Sequence, residues 1–174
     1  MAALLTGSVV AAAKPVRGTS RDDILTGTNR RDRISGRGGD DTIYARRSAD
    51  RVRAGRGNDT VYAGTGSDNV HGDAGRDALY GGLGNDRLFA GRGADFLYGG
   101  PGDDQLYAED RADVSPRQVE RSDTLNGGPG NDHFYVRDGE PDRVACGGGF
   151  DTVLADRSDQ AATNCERVRR STPR

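Results

Sequence analysis

Aliphatic residues fall in a fixed rhythm along most of this chain. Leu25, Ile34, Ile43, Val52, Val61, Val70, Leu79, Leu88, Leu97 and Leu106 follow one another every nine residues without a slip. Self-similarity over such a period marks a repeat architecture. The residues on either side of each aliphatic side chain are mostly polar or aromatic. That is the pattern of a short strand with one inward residue flanked by outward ones. The six residues that complete each unit are rich in Gly and Asp and read as a turn, because Gly permits the positive φ that a tight turn needs. Two units then make one coil of two strands and two turns. Stacked coils build two parallel sheets around a thin aliphatic core. No coil can bury its face alone, so stability must be cooperative along the stack. The predicted fold is all-β: a parallel β-roll, or β-solenoid, of nonapeptide repeats with 18 residues per coil.

The polar positions keep the same period. Asp23, Asp32, Asp41, Asp50, Asp59, Asp68, Asp77, Asp86, Asp95 and Asp104 each stand two residues before an aliphatic one. Stacking sets Asp23, Asp41, Asp59, Asp77 and Asp95 along one edge, and the other five along the opposite edge. Like charges one strand spacing apart, about 4.8 Å, repel. A cation between successive turns removes that cost. Calcium suits best: it is hard, takes six to eight oxygens and tolerates flexible geometry, and shared turns give an expectation of about four to eight ions.

The turns at 54–59, 63–68, 81–86, 90–95, 99–104 and 127–132 carry Gly at their second and fourth positions and are expected to bind best. Candidate ligands, through side chain or main-chain carbonyl, are Asp41, Asp59, Asp68, Asp77, Asp86, Asp95, Asp104 and Asp132. With them go the turn residues Gly55, Gly57, Asn58, Gly64, Gly66, Gly82, Gly84, Asn85, Gly91, Gly93, Gly100, Gly102, Asp103, Gly128, Gly130 and Asn131. The turns at 18–23, 27–32 and 45–50 lack the fourth-position Gly. Asp23, Asp32 and Asp50 are therefore expected to be weaker sites, as are Asp123 and Asp151 beyond an interruption of the repeat.

Composition agrees with a repeat. Gly is 27 of 174 residues, there is no Trp, and apolar residues make up 33%. Ordinary globular chains have about 45–50%, so a conventional two-layer core is hard to build. Net charge is −2. Nearly all basic residues are Arg, interleaved with Asp and never in a block. They read as a solvated mixed-charge surface, with no nucleic-acid footprint. No segment is long enough to span a bilayer as a helix. The first residues, MAALLTGSVVAAAKPV, resemble a signal-peptide core ending in an A-x-A site, though without a basic start; a disordered leader is the alternative. Cys146 and Cys165 form one disulfide if the chain is exported and stay as two thiols otherwise.

Tyr44, Tyr62, Tyr80 and Tyr98 recur every 18 residues as a stripe on one outer face; Phe89, Tyr107 and Tyr135 decorate the other. Cross-strand stacking accounts for such stripes; a sticky surface for a glycan, a protein or the cell surface is the sharper alternative. His71 and His133 stand apart from the Asp positions and read as surface residues. No nucleophile-elbow, zinc-protease or Walker motif occurs. Most Asp fall on the lattice, which favours calcium over a glycosidase pair. The expectation is a protein that is not an enzyme.

Copies such as GGLGNDRLF (81–89), GGPGDDQLY (99–107) and GGPGNDHFY (127–135) resemble the RTX, or haemolysin-type calcium-binding, repeat, with the resemblance spanning about residues 18–154. It implies a right-handed roll that folds on binding several Ca²⁺ ions outside the cell. It also implies a small secreted bacterial member whose two Cys tie down the last coil; a non-catalytic tail of a secreted hydrolase or toxin is a remote alternative. The expected layout is a leader at 1–15, the main roll at 16–107, a loop or short helix at 108–122 and terminal coils with a disulfide-tied cap at 123–168. A basic tail at 169–174 closes it. Ser115-Pro116 with Glu120 hints at a helix start within the insertion.

Overall fold

Hydrogen bonding runs between coils, and each strand pairs with the strand two elements further on. The structure, a computed structural model, describes residues 15–108 and 122–171. In chain order the strands are β1 (Val16–Arg17), β2 (Ile24–Thr26), β3 (Arg33–Gly38), β4 (Thr42–Tyr44), β5 (Arg51–Arg56), β6 (Thr60–Thr65), β7 (Asn69–Ala74), β8 (Ala78–Leu83) and β9 (Arg87–Arg92). They continue as β10 (Phe96–Tyr98), β11 (Gln105–Tyr107), β12 (Thr124–Pro129), β13 (His133–Val136), β14 (Arg143–Gly148), β15 (Thr152–Ala155), β16 (Gln160–Ala161) and β17 (Arg167–Arg170). The odd strands form a nine-stranded sheet and the even strands an eight-stranded one, both in sequence order. All pairings are parallel, as in β3 with β5 and β6 with β8. The protein is an all-β solenoid, and the described residues contain no helix.

The register stacks each repeat position on itself. Ile34, Val52, Val70 and Leu88 align in one sheet. Ile43, Val61, Leu79 and Leu97 align in the other. These side chains are buried in a single core with the alanines that open several units, among them Ala45, Ala54, Ala63 and Ala90. Many strands are longer than the three residues expected. β5 to β9 each run six, because interstrand pairing continues through the first half of the turn, as in Gly55 with Asp73.

The interruption adds no coil. Asp95 and Asp104 donate their N–H groups to the carboxylates of Asp123 and Asp132, 28 residues on, where the coils before them step by 18. β10 therefore pairs directly with β12, and β11 with β13. The insertion itself, with the helix start expected at Ser115-Pro116, lies outside the described residues, as does the leader before Pro15. At the far end, a Cys146–Cys165 disulfide ties β14 to the segment ahead of β17. β17 extends through Arg170, into the stretch expected as a basic tail.

The aromatic residues stack as rungs. Tyr44, Tyr62 and Tyr80 lie with ring centroids 5.2 and 5.0 Å apart and nearly parallel planes. Tyr98 follows Tyr80 in backbone register, but the ring that meets Tyr80 is Phe96, at 53°. On the other sheet the stack is His71, Phe89, Tyr107 and Tyr135, with centroids 4.4 to 4.5 Å apart. His71 is thus a half-buried rung, and burial lowers its pKa.

Candidate metal centre: two aspartate edges

The turn begins with backbone geometry. Gly55 and Gly57, Gly64 and Gly66, Gly82 and Gly84, Gly91 and Gly93, Gly100 and Gly102, and Gly128 and Gly130 all have positive φ. Each pair occupies the second and fourth positions of a turn. Three turns achieve the same shape with other residues in this region: Arg37, Arg46 with Ser48, and Asp73. A side chain there costs on the order of 1 kcal/mol or more. Ser48→Gly is therefore expected to raise stability by about 1 kcal/mol, read as a shift in the urea midpoint of the calcium-loaded protein.

This turn delivers the lattice Asp to the interior. Along each edge the N–H of one Asp donates to Oδ1 of the Asp in the next coil. Asp41 to Asp59 is 2.7 Å, Asp59 to Asp77 2.8 Å, Asp68 to Asp86 2.8 Å and Asp86 to Asp104 2.8 Å. Each carboxylate thus spends one oxygen on the backbone of the preceding coil. The second oxygen goes unused. Oδ2 of Asp41, Asp50, Asp59, Asp68, Asp77, Asp86, Asp104, Asp132, Asp142 and Asp151 is buried with no hydrogen-bond partner. Leaving one charged oxygen so placed is expensive, and here it recurs at every coil.

The surroundings of that oxygen are oxygen-rich. A Cβ added to Gly81 would meet Asp86 Oδ2 at 2.5 Å and the carbonyl oxygen of Gly99, one coil on, at 2.6 Å. Gly36, Gly72, Gly99 and Gly127 repeat the arrangement with Asp41, Asp77, Asp104 and Asp132. The small first residue of each unit therefore leaves room for a carboxylate oxygen and a carbonyl oxygen from successive coils. Among the described residues no three His, Cys, Asp or Glu side chains gather in one place. A hard cation held here must take main-chain carbonyls as well as carboxylates, and the donor set is all oxygen, as calcium prefers.

Burial raises the carboxyl pKa values. Asp59 is pushed up to about 6; Asp50, Asp86, Asp104 and Asp132 to about 7; Asp77 and Asp142 to about 8; and Asp123 to about 9. Desolvation is the main cause. The donated N–H works against it, and neighbouring carboxylates add to it.

The fifth turn position does something else. Asn58 Oδ1 accepts the N–H of Arg76, Asn85 that of Asp103, Asp103 that of Asn131, and Asn131 that of Phe150. These exposed side chains form a second ladder of opposite direction to the Asp ladder. It locks the coils in register, and its side-chain oxygens are engaged by backbone.

The column ends are closed differently. Asp23 Oδ2 accepts from the N–H and Oγ1 of Thr19, and Asp32 Oδ2 from those of Thr28. Each of these Oδ2 atoms is satisfied within its own turn, whereas Asp32 Oδ1 is buried with no partner. At the other end Asp159 accepts the N–H groups of Asp142 and Asp156, and Glu166 accepts that of Asp151. Thr19, Thr28, Asp159 and Glu166 were not legible as column ends. Glu166 is one methylene longer than the lattice residue and 15 positions from Asp151, so no periodic scan finds it.

A solenoid with two edges of buried aspartates, on which an unpaired carboxylate oxygen recurs over glycine-built turns, is a metal-binding repeat protein. The family model for the RTX calcium-binding nonapeptide repeat matches residues 17–52, 44–79, 80–114 and 120–153. The chain belongs to that family and is a calcium-binding repeat protein. No curated protein matches it.

Proposed function

We propose that calcium ions lie between successive turns along both edges, that their uptake drives the roll to fold, and that the protein works outside the cell without catalytic activity. The observation that carries this reading is the repeated buried Oδ2 with no partner. Asp41, Asp50, Asp59, Asp68, Asp77, Asp86, Asp104, Asp132 and Asp151 would each offer that oxygen. Carbonyls of the glycine turns would complete the shell. Calcium supplies charge neutralisation; the chain supplies a row of preformed half-sites that only stacking completes. Export is supported by the cystine and by the millimolar calcium such shared sites are suited to. The Tyr44–Tyr62–Tyr80 rings turn their faces to one another, which supports a stiffening role over that of a binding platform.

Equilibrium dialysis with metal analysis tests the assignment. Asp86→Asn keeps an oxygen for the Asp68 N–H but removes the charge, and is expected to lower the calcium count by about one or two ions. Asp23→Asn is expected to leave it unchanged, since Thr19 already holds Asp23 Oδ2 and Asp23 is not among the residues with a buried unpaired oxygen. Equal counts for both variants and the parent would sink the assignment.

A further inference from the structure

The acids and bases of this chain are sorted to different places. It has 25 Lys and Arg against 27 Asp and Glu, yet the described residues show one salt bridge, Arg53 to Asp73 at 2.9 Å. The lattice aspartates are buried along the edges, and the arginines stand outside. They are also not spread evenly. The outer face of the eight-stranded sheet carries Thr42, Thr60, Tyr44 and Tyr62 and no charge between β2 and β12. The nine-stranded sheet bears Arg33 beside Arg51 in register, with Arg17 and Arg53 one row over. Those four line a concavity of about 740 Å³ at the amino-terminal end of the sheet. Arg17, Arg33 and Arg51 are exposed and have no acidic partner among the described residues.

Calcium would unmask this surface, an inference that rests on the reading above. Net charge is −2 without metal. One Ca²⁺ brings it to zero and every further ion adds two, while the neutralised carboxylates stay buried. We propose that the calcium-loaded roll binds an acidic polysaccharide, carboxylated or sulfated, across the Arg17–Arg33–Arg51 face, beside Arg53, whose fork Asp73 already holds. The guanidinium fork matches both groups bidentately, and Arg33 and Arg51 present two forks on adjacent rungs, about 4.8 Å apart, with Arg17 one row over. Nucleic acid fits less well. The face is built of strands and presents no protruding helix or ribbon to enter a duplex groove. The rings of His71, Phe89 and Tyr107 next to it are stacked on one another, so bases cannot stack on them.

Binding of fluorescent dextran sulfate to the full-length protein tests this, in millimolar calcium and about 0.15 M salt, with uncharged dextran and a single-stranded oligonucleotide as comparisons. The parent is expected to bind dextran sulfate. Arg33→Ser with Arg51→Ser should weaken it about tenfold, and Arg143→Ser, on the other sheet, less than twofold. Equal losses in both variants, stronger binding of the oligonucleotide, or no binding by protein shown by circular dichroism to be folded would each overturn the proposal. Calcium uptake measured on the same samples separates the two readings. Uptake without polymer binding defeats only the arginine face; polymer binding unchanged by chelator defeats the calcium dependence.

Discussion

In chelator, the roll is expected to resist urea better at about pH 5 than at about pH 8.5, and in calcium the order reverses. The cause is the set of raised carboxyl pKa values. An unfolded Asp titrates near 3.8, whereas Asp77, facing Asp59, Asp95 and Asp73, is pushed up to about 8 and Asp59 to about 6. A raised folded-state pKa means that the folded chain holds the proton more tightly. That contribution to stability is fully present below the unfolded value near pH 4. It is lost as pH rises through about 6 to 9, the span from Asp59 to Asp123. Protons and calcium thus do the same work on the same oxygens. Calcium affinity should fall as pH drops through this window, because each ion must displace protons. Urea midpoints from far-ultraviolet circular dichroism, at two pH values with and without chelator, give the four numbers needed. A metal-free protein more stable at the higher pH would contradict the buried, unpaired carboxylates.

Gly84→Ala should do more damage than any side-chain truncation in the core. Gly84 has φ +126°, and a Cβ there would overlap the carbonyl oxygen of Gly66 in the preceding coil. Backbone cannot yield as a flexible side chain can, and the strained φ adds about 1–3 kcal/mol of its own. The expected loss is more than about 4 kcal/mol, with failure to fold even in calcium. Gly148→Ala is the control: nothing lies within 4 Å of its added Cβ. It should match the parent in both strand signal and calcium count. Comparable behaviour of the two variants would mean that the coils are not stacked this closely.

The two glycine cases show where sequence reasoning ends. The repeat already separates them in part: Gly84 is the fourth residue of the turn at 81–86, and Gly148 the third of the turn at 146–151, where Leu83 stands in the other. Only the stack shows that one faces a carbonyl and the other open space. Asn58, Asn85, Asp103 and Asn131 are a similar case. Read alone, they are oxygen donors beside a lattice Asp; in the stack their oxygens take N–H groups from the next coil.

The nine-residue period by itself determined the parallel roll, the buried aliphatic columns and the two Asp edges, because a local period fixes which residues fall on top of one another. What only the tertiary structure decided is how each Asp divides its oxygens, which turns close on Thr, and where the charges end up. In the sequence Arg and Asp alternate and read as a mixed surface. Folding turns the lattice aspartates inward and leaves the arginines outside, because one carboxylate oxygen of each lattice Asp from Asp41 on is drawn to a backbone N–H of the preceding coil, while a buried guanidinium would bring five N–H donors to be satisfied.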